Sequence, residues 1–141
     1  MNIDSIQNGI VIDHITAGKG MMLYDLLHLD ELDCSVAIIK NVVSRKMGKK
    51  DIIKVDADIP VNIDVIGYID PGATVNIIKD GVRAEKLNLQ LPKTLTNVIR
   101  CKNPRCITTT EQELDHIFKL TDQENKVYRC VYCETKAERN I

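Results

Sequence analysis

The sequence predicts an α+β fold in two parts: a ferredoxin-like N-terminal domain, with two helices on an antiparallel sheet, and a small all-β C-terminal domain. Residues 1–92 alternate as strand, helix, two paired strands, helix and two paired strands, an order typical of ferredoxin-like domains with one extra strand. Four of the five cysteines fall in the last third of the chain. The 141 residues are 44% apolar and 28% charged, which is typical of a folded protein.

The first half of the N-terminal domain contains three strand patterns and one helix pattern. Residues 9–15 are rich in β-branched side chains and predict a buried strand. Residues 18–29 repeat apolar side chains at helical spacing. Residues 34–43 predict a second strand, and a polar loop over residues 44–49 leads to a third strand over residues 51–56.

The second half of this domain is punctuated by turn residues. Residues 62–69 form an ambiguous segment whose apolar spacing is compatible with a short helix. Strands are predicted over residues 74–79 and 82–89, and Asp80-Gly81 between them is a two-residue hairpin signal. These two segments complete the predicted sheet.

A domain boundary is predicted at Pro92, where proline interrupts the strand pattern. Residues 1–92 carry a net charge of −3 and residues 93–141 a net charge of +2. Short strands are predicted over residues 97–101, 114–120 and 126–130. So few apolar residues in a segment of this size predict that a metal or disulfides must stabilise the C-terminal domain.

The cysteines of the C-terminal domain have the spacing of a metal site. Cys101 and Cys106 are separated by four residues, Cys130 and Cys133 by two, and the pairs by 23. Two close pairs can place four thiolates at the corners of a tetrahedron, as a closed structural zinc site requires. We therefore expect one structural Zn²⁺ per chain, with iron or disulfides as alternatives. Cys34 is expected to be an isolated reduced thiol.

Several classes of protein are disfavoured. The net charge of −1 argues against a broadly basic nucleic-acid or membrane-surface protein. No apolar run approaches the roughly 20 residues of a membrane span, and residues 1–5 lack the basic start of a secretory signal, so we expect a cytoplasmic location. The Walker A, dinucleotide-binding and metalloprotease motifs are absent from the sequence. A nucleic-acid-binding zinc ribbon and an enzyme acting on nucleotides stay open as alternatives.

One basic cluster departs from the overall charge. It consists of Arg45, Lys46, Lys49, Lys50 and Lys54. A solvated hairpin tip would explain it, but Lys50 and Lys54 lie four apart and would share one face of a strand, where they could converge on phosphate groups. Asp13-His14 on the first strand could bond a ligand or form a structural pair.

Together these motifs resemble the regulatory chain of aspartate carbamoyltransferase over essentially the whole length. The resemblance is carried by GIVIDHI at residues 9–15, MGKKDIIK at residues 47–54, ATVN at residues 73–76 and the complete cysteine frame. Four motifs in one order are more specific than the cysteine frame alone.

The resemblance implies a non-catalytic subunit that controls de novo pyrimidine biosynthesis. Residues 1–92 would bind CTP and UTP as inhibitors and ATP as activator, and would pair with a second copy of the chain. Residues 93–141 would hold the catalytic chain through the zinc domain, with Asn103 and Tyr132 facing it. The resemblance assigns nucleotide contacts to Ile6, Val11, Asp13, His14, Lys50, Lys54, Asn76, Ile78 and Lys86.

Overall fold

A computed structural model describes residues 6–138, so that residues 1–5 and 139–141 lie outside it. The chain divides into two compact units, Met1–Gln90 and Leu91–Ile141. Within the described residues, no helix is long and apolar enough to cross a lipid bilayer.

The first unit is a five-stranded antiparallel sheet with two helices. Its elements are β1 (Gly9–Thr16), α1 (Gly20–Leu26), β2 (Val36–Ser44), β3 (Gly48–Val55), α2 (Ile63–Ile69), β4 (Thr74–Lys79) and β5 (Val82–Asn88). The strand order is β2-β3-β1-β4-β5, the ferredoxin-like arrangement with β5 added beside β4. The predicted α+β class is therefore confirmed, and the ambiguous segment is the helix α2, which Asn62 caps through hydrogen bonds from Asp64 and Val65.

The core of this unit lies between the helices and one face of the sheet. Ile12, Ile53 and Val75 are cross-strand neighbours, and all three are fully buried. Asp51 shares the face of Ile53, and its carboxylate contacts the start of α1 at Gly20, so this is the face that α1 covers. Leu23 of α1 and Ile66 of α2 are fully buried as well.

Two predicted elements are shorter than the sequence pattern suggested. The helix expected over residues 18–29 ends at Leu26, because His28 adopts a left-handed conformation and a separate 3-10 turn, Leu29–Glu31, follows. The polar loop expected over residues 44–49 is a tight turn, since β3 already begins at Gly48. Lys49 and Lys50 are consequently strand residues.

The second unit is a three-stranded antiparallel sheet, β6 (Thr94–Thr96), β7 (Ile117–Asp122) and β8 (Val127–Cys130), with a one-turn helix, α3 (Ile107–Thr110). The strand predicted over residues 97–101 is wrong. Asn97 has a left-handed φ of 58°, and its backbone N–H and side-chain oxygen bond to His116, which ends β6 at Thr96. Leu95, Phe118 and Tyr128 form the small apolar core.

Candidate functional sites

The face of the first sheet opposite the helices carries a continuous row of polar and apolar side chains, which we call the open face. Lys54 pairs with Val11, Val11 with Asn76, and Asn76 with Lys86. Directly paired residues on neighbouring strands project to the same face, about 4.8 Å apart. The two lysines therefore stand at the ends of a row about 14 Å long, with Val11 and Asn76 between them.

A bulge in β1 brings Asp13 and His14 to this face. Ile12 pairs with Ile53 and Ile15 with Asp51, so that Asp13 and His14 oppose a single residue of β3. His14 has a left-handed φ of 57° there. The extra residue lets Ile12 and Ile15 both stay fully buried although they are three apart.

Asp13 is held by two donors. The Lys50 ammonium lies 2.9 Å from its Oδ1, and the His14 backbone N–H donates to the same oxygen at 2.6 Å. Burial raises the pKa of the Asp13 carboxyl, but these two hydrogen bonds outweigh burial and leave the pKa below its usual value. The His14 Nδ1 lies 3.0 Å from the Thr74 hydroxyl, which fixes the imidazole against β4.

The remaining residues from the resemblance lie along the same region. Ile78 pairs with Gly9 two residues beyond Asn76, and is half-buried. Ile6 is 7% exposed and lies against Gly9, where a Cβ would come within 2.9 Å of its side chain. Of the described residues, Asn76 has a buried side-chain oxygen that accepts no hydrogen bond, while its amide donates weakly to the Val11 carbonyl at 3.5 Å. That orphaned acceptor needs a donor.

The basic cluster falls into two groups, one around the β2–β3 turn and one on β3. Arg45, Lys46 and Lys49 are exposed around the β2–β3 turn, as a solvated hairpin tip would be. Lys50 and Lys54 are half-buried and share the open face. Only these two belong with the row described above.

Asp51 is a residue whose role the sequence did not reveal. It lies within the basic cluster, but its side chain is fully buried on the opposite face from Lys50. Its Oδ2 accepts from the backbone N–H groups of Gly18 and Gly20, and its Oδ1 from that of Asn41. Asp51 therefore ties β3 to α1 and to the bulge in β2, and it fixes the strand that carries Lys50 and Lys54.

The four cysteines of the second unit converge. The sulfurs of Cys101, Cys106, Cys130 and Cys133 all lie within 4.8 Å of one another. Cys101 Sγ is 3.6 Å from Cys133 Sγ, and Cys106 Sγ is 3.7 Å from Cys130 Sγ. A disulfide needs about 2.05 Å, whereas four thiolates around one ion with metal–sulfur bonds of about 2.3 Å lie about 3.8 Å apart. The spacing suits a tetrahedral metal ion.

The thiols of this cluster differ in proton affinity. Burial raises the pKa of Cys101 to about 12. A hydrogen bond with the Thr135 hydroxyl lowers the pKa of Cys133 to about 6. A bound divalent cation would deprotonate all four, because a coordinating thiol loses its proton outright.

Polar groups around the cysteines fix their turns. The Cys101 backbone N–H donates to His116 Nδ1 at 3.1 Å, so His116, which lies outside the cysteine spacing, supports the first cysteine. Asn103 Oδ1 accepts from the Arg105 backbone at 3.0 Å and shapes the turn between Cys101 and Cys106. Tyr132, between the second pair, is 46% exposed.

Comparison of the sequence with known proteins identifies the family of the chain. Residues 1–90 match the family model for the allosteric domain of the aspartate carbamoyltransferase regulatory chain, and residues 93–141 match that for its metal binding domain. The chain belongs to the aspartate carbamoyltransferase regulatory chain family. The resemblance of the sequence motifs to this family is confirmed.

Curated relatives cover nearly the same length. A regulatory chain of Clostridium tetani is 51% identical over 135 residues, which are 95% of this chain and 94% of the relative. One from Clostridium botulinum strain Hall is 50% identical over 134 residues, 95% and 92% of the two chains. One from Bifidobacterium longum is 40% identical over 138 residues, 98% and 99% of the two chains.

Family membership settles the general role. The chain is a regulatory chain with an allosteric domain and a metal binding domain, and the expectation that it is not the catalytic chain is confirmed. A regulatory chain implies a catalytic partner chain.

Proposed function

We propose that the first unit binds nucleoside triphosphates on the open face and that CTP, UTP and ATP act there as allosteric effectors in the control of pyrimidine biosynthesis. The observation that carries this proposal is the row Lys54–Val11–Asn76–Lys86, with Lys50 beside it. A triphosphate carries about four negative charges, and charge-assisted hydrogen bonds from lysines are among the strongest available. The buried, unpaired Asn76 oxygen offers an acceptor to a ligand donor.

Each assigned residue has a role consistent with such a ligand. Val11, Ile78 and Ile6 supply apolar surface, while Asp13 and His14 supply an acceptor and an imidazole at the β1 bulge. Asp13 is anionic and would repel phosphates, but its ion pair with Lys50 compensates that charge. Asp13 is therefore suited to contact sugar hydroxyls or a base donor.

Inhibitor and activator share this face in our proposal, so they must differ in how they stabilise two states of the assembly. A ligand with equal affinity for both states shifts nothing. Coupling free energies of about 1–3 kcal/mol are typical between allosteric sites.

The effector site is tested by Lys54→Ala in the full chain assembled with its catalytic partner. Loss of one charge-assisted hydrogen bond should weaken CTP binding by about 10-fold to 100-fold in titration calorimetry. The matched control is Lys79→Ala, since Lys79 is an exposed lysine of β4 whose strand parity places it on the other face. Equal CTP affinity in both variants, with metal content and assembly intact, would refute the site.

We infer that the four cysteines hold one structural Zn²⁺ and that this unit docks on the catalytic chain in the cytoplasm. With four protein ligands, the site leaves no position for a catalytic water. Exposed Ile107, Val131 and Tyr132 provide apolar contact surface near the cysteines. Elemental analysis should give one zinc per chain, and a mercurial should release it and separate the two kinds of chain on size exclusion. An assembly that survives zinc loss would exclude the docking role.

We also propose that the first unit pairs with a second copy of the chain. It exposes apolar side chains that a partner would cover, among them Val43 at 84% and Ile63 at 41%. Sedimentation of the isolated regulatory chain should give a dimer, and a monomer at micromolar concentration would contradict this.

A further inference from the structure

A repeated local pattern follows the cysteine pairs. The second cysteine of each pair is followed two residues later by threonine, in Cys106-Ile107-Thr108 and in Cys133-Glu134-Thr135. Thr108 Oγ1 lies 3.1 Å from Cys106 Sγ, and Thr135 Oγ1 lies 3.1 Å from Cys133 Sγ. Each cysteine turn thus places one hydroxyl at hydrogen-bonding distance from one sulfur of the cluster.

The two hydroxyls have different surroundings. Thr108 is 2% exposed, at the start of α3, whereas Thr135 is exposed. Thr135 Oγ1 also accepts a hydrogen bond from Asn103 Nδ2 at 3.2 Å. Because Asn103 lies between Cys101 and Cys106, the chain of bonds from Asn103 through Thr135 to Cys133 joins the two cysteine turns.

We propose that Thr108 and Thr135 are positioning residues of the metal centre, each donating its hydroxyl proton to a metal-bound thiolate. The inference rests on the proposed metal site. A metal-bound thiolate carries no proton, so the hydroxyl must be the donor in each contact. Four thiolates and one divalent cation leave a net charge of about −2, and two charge-assisted hydrogen bonds stabilise that charge.

Asn103 strengthens the exposed contact. By donating to Thr135 Oγ1, it occupies a lone pair of that oxygen and directs the hydroxyl proton toward Cys133. Chains of hydrogen bonds polarise one another, so the Thr135 hydroxyl becomes a better donor. Partners that orient metal ligands in this way are worth about 10-fold to 100-fold in metal affinity.

The test uses the full chain and competition with a zinc chelator. Thr108→Val and Thr135→Val should each weaken zinc binding by about 10-fold or more. The control is Thr110→Val, because the Thr110 hydroxyl bonds to the Ile107 carbonyl and no sulfur contact is described for it. Thr135→Ser should bind zinc with the affinity of the parent chain, since serine keeps the hydroxyl. In the cobalt-loaded chain, the sulfur-to-metal charge-transfer band should move to lower energy in both Val variants and stay in place in the control.

A double-variant cycle tests the relay through Asn103. Asn103→Ala should weaken zinc binding more in the parent chain than in the Thr135→Val background, where it removes only the contact of Asn103 with the Arg105 backbone. Val variants that match Thr110→Val in zinc affinity and cobalt spectrum would overturn the inference. Because Thr135 is exposed, its variant decides the matter even if Thr108→Val does not fold. A parent chain that binds no zinc would instead overturn the proposed metal site itself.

Discussion

The two units of the chain differ in the kinds of side chain that they bury. The first unit buries isoleucine, leucine and valine between a five-stranded sheet and two helices, with Ile12, Ile15, Ile53 and Ile66 fully buried. The second unit has a three-stranded sheet whose largest fully buried apolar side chains are Leu95, Phe118 and Tyr128, and the rest of its interior is a cysteine cluster. From this difference we expect that burial of apolar surface stabilises the first unit and that metal binding by the four cysteines stabilises the second.

Removal of the metal should give the largest contrast. Binding of structural zinc contributes about 10 kcal/mol or more to the folding of small metal domains. A chelator should therefore unfold residues 91–138 while the first unit keeps its amide protection in hydrogen exchange. Cys34→Ser is the control, because Cys34 lies in the other unit and should leave metal content unchanged. A second unit that keeps its protected amides without metal would show that its small apolar core suffices.

Asp51→Ala should destabilise the first unit and leave the metal site of the second unit intact. It leaves three backbone N–H groups without their acceptor: the buried N–H of Gly20 and the half-buried N–H groups of Gly18 and Asn41. A buried N–H without an acceptor costs about 1–3 kcal/mol and a half-buried one costs less, so the first unit should lose about 2–3 kcal/mol in urea unfolding, with metal content unchanged. The control Asp56→Ala removes an exposed carboxylate after the same strand. Equal stability of the two variants would mean that water replaces the Asp51 carboxylate.

The contrast between the units also explains what the sequence could predict. The alternation of residues 74–79 and the Asp80-Gly81 turn predicted β4 and β5 closely, because both signals are local. The cysteine spacing predicted the convergence of four sulfurs. The strand over residues 97–101 failed because Asn97 bonds to His116, a contact across 19 residues that no local pattern contains.

The open face shows the same limit of prediction from local sequence patterns. Lys50 and Lys54 shared a face by strand periodicity alone, as predicted. That Lys54, Val11, Asn76 and Lys86 form one row depends on the register of four strands, which the sequence does not specify. The burial of Asp51 was equally hidden, since an acid among lysines is ordinarily a surface residue. Its hydrogen-bond donors are backbone N–H groups near the start of α1 and in the β2 bulge, which the local sequence around Asp51 does not reveal.

Tyr128→Phe should give a smaller effect, confined to the second unit. The Tyr128 hydroxyl donates to the Pro92 carbonyl at 2.6 Å, and the side chain is 1% exposed. Loss of this bond should lower the stability of the metal-bound unit by about 1 kcal/mol, measured as a fall in its thermal midpoint. Tyr132→Phe, at a residue 46% exposed, should change it by less than about 0.5 kcal/mol. Equal thermal midpoints of the two variants would mean that another donor, such as water, satisfies the Pro92 carbonyl in Tyr128→Phe.

The smallest effect should come from Asp13→Asn in the first unit, and it depends on pH. The pKa of Asp13 is lowered in the folded chain, although burial alone raises it, because Lys50 and the His14 backbone N–H donate to the carboxylate. The ionised group therefore stabilises the fold above its unfolded pKa of about 3.9, and this contribution is lost as the pH falls through the lower folded value. At pH 6 the variant should be about 0.5 kcal/mol less stable than the parent chain in urea unfolding of the first unit, because one half-buried ion pair is missing. The difference should shrink toward pH 3, and Asp58→Asn, at an exposed carboxylate, should show neither effect. A difference that stays constant down to pH 3 would assign the loss to packing and not to the charge of Asp13.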